Sequence, residues 1–111
     1  MEDWKSLKIP RIVDIEQVAA EFQVWSTEFF PTGKVKVRII ERRAGYYWGS
    51  PNIAAKERRS DRVPESERAP DWIGGYGNSI AEALEDTIKS LVEVIIANGA
   101  TSPDDFEWAG W

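Results

Sequence analysis

One stretch of the chain, residues 72–99, constrains the fold more than any other, because it encodes a helix with both ends marked. Ser79 suits the N-cap, and Glu82 stands three residues later, where its carboxylate can accept from the Ser79 amide in a capping box. Gly99 supplies a left-handed stop. The large apolar residues between these ends recur at three- and four-residue steps and share one face: Ile80, Leu84, Ile88, Leu91, Val92 and Ile95. A long helix over residues 80–98 is therefore expected.

The residues before this helix combine one helical pattern with a series of strand patterns. Asp14 suits an N-cap, and the apolar residues after it share a helical face, which predicts a short helix over residues 15–22. β-branched and aromatic residues separated by turn signals then favour strands. Three strands are expected, at residues 23–30, 35–40 and 46–49, the last of them resuming at residues 52–55 beyond Pro51.

Together these segments predict a single α+β domain over residues 1–111. Its order is a short N-terminal helix, a three-stranded antiparallel meander and a long C-terminal helix packed on the sheet (αβββα). Residues 56–70 are mostly charged, so we expect a mobile surface loop that is either a binding element or a solvated insertion. The acidic, aromatic tail at residues 100–111 either packs back onto the domain or docks into a partner.

The composition excludes most of the common catalytic mechanisms. The chain contains no cysteine and no histidine, which excludes disulfides, thiolate metal sites, and every nucleophile or triad that needs these residues. Helix carboxylates such as Glu82 and Asp86 show no sign of the burial or unlike surroundings that separate pKa values for acid–base catalysis. We therefore expect no enzyme activity, no catalytic residues, no metal site and no cofactor.

The sequence also indicates a protein of the cytoplasm. Its longest apolar run, near residues 91–97, is interrupted by Glu93 and is too short to span a bilayer. The first residues lack the apolar core of a signal peptide. The absence of cysteine fits a reducing compartment.

Charge is distributed unevenly. Residues 34–68 hold ten of the fourteen Lys and Arg residues but five of the nineteen Asp and Glu residues, so the segment is +5 in a chain of net charge −5. Either this asymmetry marks a face for a charged partner, or the two halves neutralise each other through surface ion pairs. Arg38, Arg42 and Arg43 precede an aromatic strand, and arginine with aromatic residues is the commonest set of interface anchors. The same mixture can hold phosphates and stack bases, but the acidity of the chain argues against a nucleic-acid partner.

A glycine-rich turn, residues 74–79, opens the long helix. Free amides and the positive end of the helix dipole make such a turn a potential anion site. The pattern is neither that of a dinucleotide-binding turn nor that of a P-loop. The simpler interpretation is that the glycines only allow a sharp turn of positive φ before the cap.

The entry to the helix, Gly77-Asn78-Ser79-Ile80-Ala81-Glu82-Ala83-Leu84, resembles the Gly-Asp-Thr-x-Glu-Glu-Ala-Leu entry of HicB-like antitoxin domains, which share the double-stranded-RNA-binding fold. The resemblance covers about 25 residues and the aromatic strand before them. It implies a domain that neutralises a small toxin by binding it. The lysine cluster of the RNA-binding members is replaced by Glu82, Glu85 and Asp86, so RNA binding in that mode is not expected. In that family a separate C-terminal segment binds operator DNA. Only residues 100–111 follow the helix here, so we expect no such DNA-binding segment.

The sequence thus predicts a small binding module that blocks or sequesters a partner protein, as antitoxins and phage anti-defence inhibitors do. The alternative is a binder of a small anionic ligand such as a nucleotide. Exposed strand edges also make a homodimer an option. The candidate binding residues are Arg38, Arg42, Arg43, Tyr47, Trp48, Trp72, Tyr76, Asn78 and Ser79.

Overall fold

The computed structural model describes residues 3–111, which form one α-helix and seven strands in two antiparallel sheets. The strands are β1 (Gln17–Trp25), β2 (Lys34–Glu41), β3 (Tyr47–Pro51), β4 (Ile53–Lys56), β5 (Pro70–Asp71), β6 (Gly75–Gly77) and β7 (Phe106–Trp108), and the helix is α1 (Ile80–Asn98). Short 3-10 turns occupy Trp4–Ser6, Glu65–Glu67 and Pro103–Asp105. No helix among the described residues is long and apolar enough to cross a membrane.

The two sheets meet at Asn52, which interrupts the run from β3 to β4. The first sheet has the order β1-β2-β3-β6 and the second the order β5-β4-β7. The Asn52 side chain accepts from the Lys36 amide at 2.9 Å and donates to the Trp111 carbonyl at 3.0 Å. The C-terminal tail therefore packs back onto the domain, where β7 pairs with β4 and Phe106 is buried.

The predicted αβββα fold is wrong, beginning with its first element. Residues 15–22 do not form a helix, because most of them lie in or lead directly into β1. Ala20, Phe22 and Val24 of β1 pack against the core at a period of two, but the strand register shifts between Val18 and Ala20. Because the bulge at Ala19 interrupts the alternation of core-facing and outward-facing residues, the spacing of the apolar residues in the sequence also fits a helical face.

The other strands depart from the predicted meander in part. β2, β3 and β4 lie close to the strands expected at residues 35–40, 46–49 and 52–55. Residues 26–33, assigned in part to a strand, form the β1–β2 connection, and Gly33 has a positive φ of 81° there. The strands β5, β6 and β7 are two or three residues long. Segments of that length carry no periodicity that a sequence pattern can reveal, and tertiary pairing alone defines them.

The helix after Ser79 is present, and its ends are built as the sequence suggests with one difference. The Ser79 hydroxyl accepts from the Glu82 amide at 3.1 Å, but the Glu82 carboxylate accepts from the Asn78 amide at 2.8 Å rather than from that of Ser79. Gly99 ends the helix at φ 63°. The most buried line is Ala83, Thr87, Leu91 and Ile95, while the predicted line through Leu84 and Ile88 is half-buried beside it.

Small residues on both sides let α1 approach the first sheet closely. A Cβ added at Gly77 would lie 2.5 Å from the Ala83 amide nitrogen, and one at Gly49 or Gly75 would overlap Thr87. None of Gly74, Gly75 and Gly77 has a positive φ. The interpretation of these glycines as positive-φ turn residues is therefore wrong: Gly75 and Gly77 allow close helix–sheet packing, and Gly74 lies against Trp48.

Candidate functional site

The helix covers one face of the first sheet and leaves the opposite face accessible. The pairing register assigns to this accessible face a set of side chains from all four strands, which we call the open face: Val18, Glu21, Gln23, Trp25, Lys34, Lys36, Arg38, Ile40, Trp48, Ser50 and Tyr76. Successive residues of a strand point to opposite faces, so the same alternation that sends Val37 and Ile39 into the core sends Lys36, Arg38 and Ile40 outward.

An apolar row crosses the open face perpendicular to the strands. Val18, Ile40, Trp48 and Tyr76 lie directly opposite one another in adjacent strands. Ile40 is buried in the centre, whereas Val18 and Tyr76 at the two ends are 56% and 61% exposed. Gly74 makes room for the Trp48 ring, since a Cβ there would lie 2.7 Å from its Nε1 atom.

Beside this row the open face is basic and aromatic. The Lys34 ammonium lies 5.2 Å from the centroid of Trp25, which is 69% exposed. The Arg38 guanidinium stacks on Trp111 with Cζ 4.1 Å from the ring centroid, and its Nε lies 3.2 Å from a Glu21 oxygen. Such cation–π contacts contribute about 0.5–1 kcal/mol each at exposed sites. They hold the two cations close to the aromatic rings of Trp25 and Trp111.

The opposite side of the molecule is acidic. The exterior of α1 exposes Glu82, Glu85, Asp86 and Glu93, with Lys89 as its cation. Lys89 pairs with Glu85 at 2.8 Å, and this hydrogen bond raises the pKa of Lys89 above its ordinary value. The uneven charge of the sequence thus becomes two faces of unlike sign. Surface ion pairs neutralise only part of the basic segment of residues 34–68.

The structure brings three of the predicted binding residues together and separates the others. Arg38, Trp48 and Tyr76 lie on the open face, with Trp48 directly opposite Tyr76. Arg42, by contrast, donates to Glu16 at 2.8 Å and to Asp14 at 3.2 Å. Three more lie elsewhere or have other roles: Arg43 contacts Asp14, Tyr47 packs against the core under the helix, and Trp72 lies 47% exposed in the connection between β5 and β6.

Asn78 and Ser79 belong to the helix start, where protein carboxylates already occupy amides of the turn. The Asn78 amide donates to Glu82, and the Tyr76 amide donates to Asp86 at 2.9 Å. The adjoining cleft of about 400 Å³ is lined by Glu82, Glu85 and Asp86, with Lys89 as its only cationic lining residue. An anionic ligand would meet three carboxylates here, so this geometry does not favour the small-anion alternative.

A second polar cluster, which sequence reasoning missed, is buried at the C-terminal end of α1. Asp105 accepts from the amides of Thr101 and Ser102 at 3.0 Å, and from Arg59 and Arg68 at 3.1 Å. Burial would raise the pKa of Asp105, but the two amides and then the two arginines more than offset it and hold that pKa well below its usual range.

Arg68 ties the charged loop of residues 57–69 to this cluster. Its side chain is almost fully buried and donates from Nε to the Glu57 carbonyl at 2.9 Å. Burial would lower the pKa of Arg68, but hydrogen bonds to Glu65 and Asp105 outweigh it and raise the pKa. Because its donors are used within the protein, this cluster is a structural anchor for the loop and the tail. The signal in the sequence was weak, since Arg68 and Asp105 lie 37 residues apart.

No protein-family model, curated protein or solved structure matches the chain. Among residues 3–111, no three acidic side chains come together in a way that could hold a metal ion.

Proposed function

We propose that the chain is a non-catalytic binding module that holds a partner protein on the open face. The observation that carries this proposal is the accessible face of the first sheet, which combines exposed anchors, Trp25 and Tyr76, with the cations Lys34 and Lys36. Aromatic side chains on a rigid strand present large contact area at little cost in conformational entropy, as the anchors of interfaces do.

Charge complementarity defines the chemistry of the partner. The single acid on the open face, Glu21, is paired with Arg38, whereas Lys36 makes no ion pair among residues 3–111. The surface therefore suits a partner segment that carries carboxylates beside apolar side chains. Complementary potentials speed the encounter and exclude basic partners.

The mode of action we propose is blocking or sequestering the partner. Two observations support it: the sequence at the start of α1 resembles that of HicB-like antitoxins, and the chain contains no histidine or cysteine. A phage anti-defence inhibitor would act in the same way, by covering a functional surface of its target. Both roles require tight binding and no chemistry.

The test is an affinity capture from lysate of the cell in which the chain is expressed, with two charge-matched variants. Lys36→Glu reverses a charge on the open face, and Lys89→Glu reverses one on the exterior of α1. We expect Lys36→Glu to weaken capture about tenfold, which corresponds to about 1.4 kcal/mol, and Lys89→Glu to leave it unchanged. A partner that binds both variants as well as the original chain, or the lack of any stable partner, would contradict the proposal.

A further inference from the structure

A short segment before β1 exposes aliphatic side chains that the domain does not cover. Leu7, Ile9 and Ile12 are 41%, 50% and 53% exposed, and Val13 is fully exposed. We call residues 7–13 the apolar arm. With Arg43 it borders an open groove of about 420 Å³. Contiguous exposed aliphatic residues of this kind mark interaction surfaces, whereas single ones are ordinary.

The arm has a defined turn. The Ile12 amide donates to the Ile9 carbonyl at 3.1 Å, which closes a turn with Pro10 in second position and Arg11 in third. Arg11 has φ 73°, a conformation that residues other than glycine rarely adopt. Proline fixes the backbone of the turn before any partner arrives, so less entropy is lost when the arm is covered.

The arm leads directly into a long unprotected sheet edge. Within residues 3–111, β1 pairs with β2 alone and is nine residues long, while the other edge strands, β5, β6 and β7, have two or three residues. Proteins protect sheet edges with short strands, β-bulges, lysine or proline. β1 contains neither lysine nor proline, and its regular part beyond the bulge at Ala19 offers residues 20–25 for pairing.

We propose that the apolar arm and the edge of β1 together form the interface of a homodimer, in which β1 pairs antiparallel with β1 of a second copy. Antiparallel pairing of a strand with itself has two-fold symmetry and closes, so it removes both edges at once. If the two-fold axis passes through Phe22, Glu21 lies opposite Gln23 of the second copy. Two like charges then do not face each other across the interface. Phe22, half-buried in one chain, then meets its own counterpart.

Charge supports a second copy as the occupant. The arm carries Lys8 and Arg11 and no acid, within a chain of net charge −5. With the axis at Phe22, the arm of each copy runs toward the β1–β2 connection of the other, which contains Glu28. Lys8, Arg11 and Glu28 make no ion pair among residues 3–111, so all three are free to pair across the interface.

Sedimentation velocity on the full chain tests this inference. We expect a reversible shift from the 12.6 kDa monomer to twice that mass as the protein concentration rises through the micromolar range. Val13→Asp should weaken dimerisation at least tenfold, and because the Val13 side chain is fully exposed it should leave the monomer folded. Ile96→Asp, at a 60% exposed position on α1, is the matched control and should leave the dimer intact.

Disulfide trapping locates the interface independently, since the chain has no cysteine of its own. An equimolar mixture of Glu21→Cys and Gln23→Cys chains should form an interchain disulfide rapidly under mild oxidation, because these two positions face each other across the axis, and Glu93→Cys on the exterior of α1 should not. A monomer at every concentration overturns the inference, and so does a dimer that Val13→Asp leaves unchanged or that Glu93→Cys traps as fast. Lys36→Glu should leave the dimer intact, so failure of this inference is distinguishable from failure of the proposed function.

Discussion

At Gly75 the space available to a single residue decides how the helix meets the sheet. An added Cβ would overlap the Thr87 backbone, so a side chain of any size would force α1 away from β3 and β6. The closeness of this contact explains a run of glycines that sequence reasoning attributed to backbone conformation or to anion binding. Whether a glycine serves packing or a turn depends on what lies opposite it, and one sequence does not contain that information.

Gly75→Ala should therefore destabilise the fold by about 1–3 kcal/mol, the usual cost of overpacking a well-packed contact. Gly110→Ala is the matched control, because a Cβ there would have nothing within 4 Å and the residue has no positive φ. Chemical denaturation of the two variants measures the difference in free energy of unfolding. Equal stability of both would contradict the close helix–sheet contact.

Asp105 supplies a residue-scale prediction that depends on pH. Its folded-state pKa is depressed, so its contribution to stability is fully present above the unfolded pKa, near 3.9, and is lost as the pH falls through that value toward the folded pKa. Asp105→Asn should cost about 3 kcal/mol at neutral pH, as removal of one partner from a buried ion pair does.

The pH dependence separates this charge effect from simple loss of packing. The stability difference between the original chain and Asp105→Asn should shrink below about pH 4, where Asp105 of the unfolded chain takes up a proton while Asp105 of the folded chain stays ionised. Asp104→Asn, at an exposed neighbouring position, should change stability little at any pH. Urea denaturation series at several pH values give both curves, and a constant difference down to pH 2 would be inconsistent with a depressed pKa of Asp105 in the folded state.

At the scale of elements, the sequence predicts best where local chemistry alone defines a structure. Helix α1 could be located because Ser79 and Gly99 mark its ends and because its apolar residues repeat at helical spacing. β1 could not, because one bulged residue, Ala19, changes an alternating pattern into one that also fits a helix. β5, β6 and β7 are defined only by pairing with strands distant in the sequence, so no local sequence pattern predicts them.

The cap of α1 gives the prediction at this scale. Ser79→Ala removes the acceptor of the Glu82 amide and should cost about 1 kcal/mol. Ser90→Ala, within the same helix, should be nearly neutral because alanine is the better helix former. Thermal unfolding followed by circular dichroism compares the two, and a Ser79→Ala variant as stable as Ser90→Ala would show that the cap contributes nothing.

At the scale of the whole molecule, two sheets and one helix separate charge into a basic open face and an acidic helix exterior. The sequence revealed the charge asymmetry, but it placed Tyr47 in the candidate site, which the structure directs into the core. It also missed Trp25 and Trp111, whose role depends on cation contacts from Lys34 and Arg38. Such contacts follow from strand register and from the path of the tail, and neither is visible before folding.

The central claim is that the open face is the surface that holds the partner. Hydroxyl-radical footprinting of the captured complex tests it most directly, because exposed aromatic side chains on different surfaces serve as internal reporters. Trp25 and Tyr76 should lose reactivity on binding, while Trp72 and Trp108, which are 47% and 42% exposed and are not among the open-face residues, should keep theirs. Protection of Trp72 or Trp108 with Trp25 and Tyr76 still reactive would contradict the account.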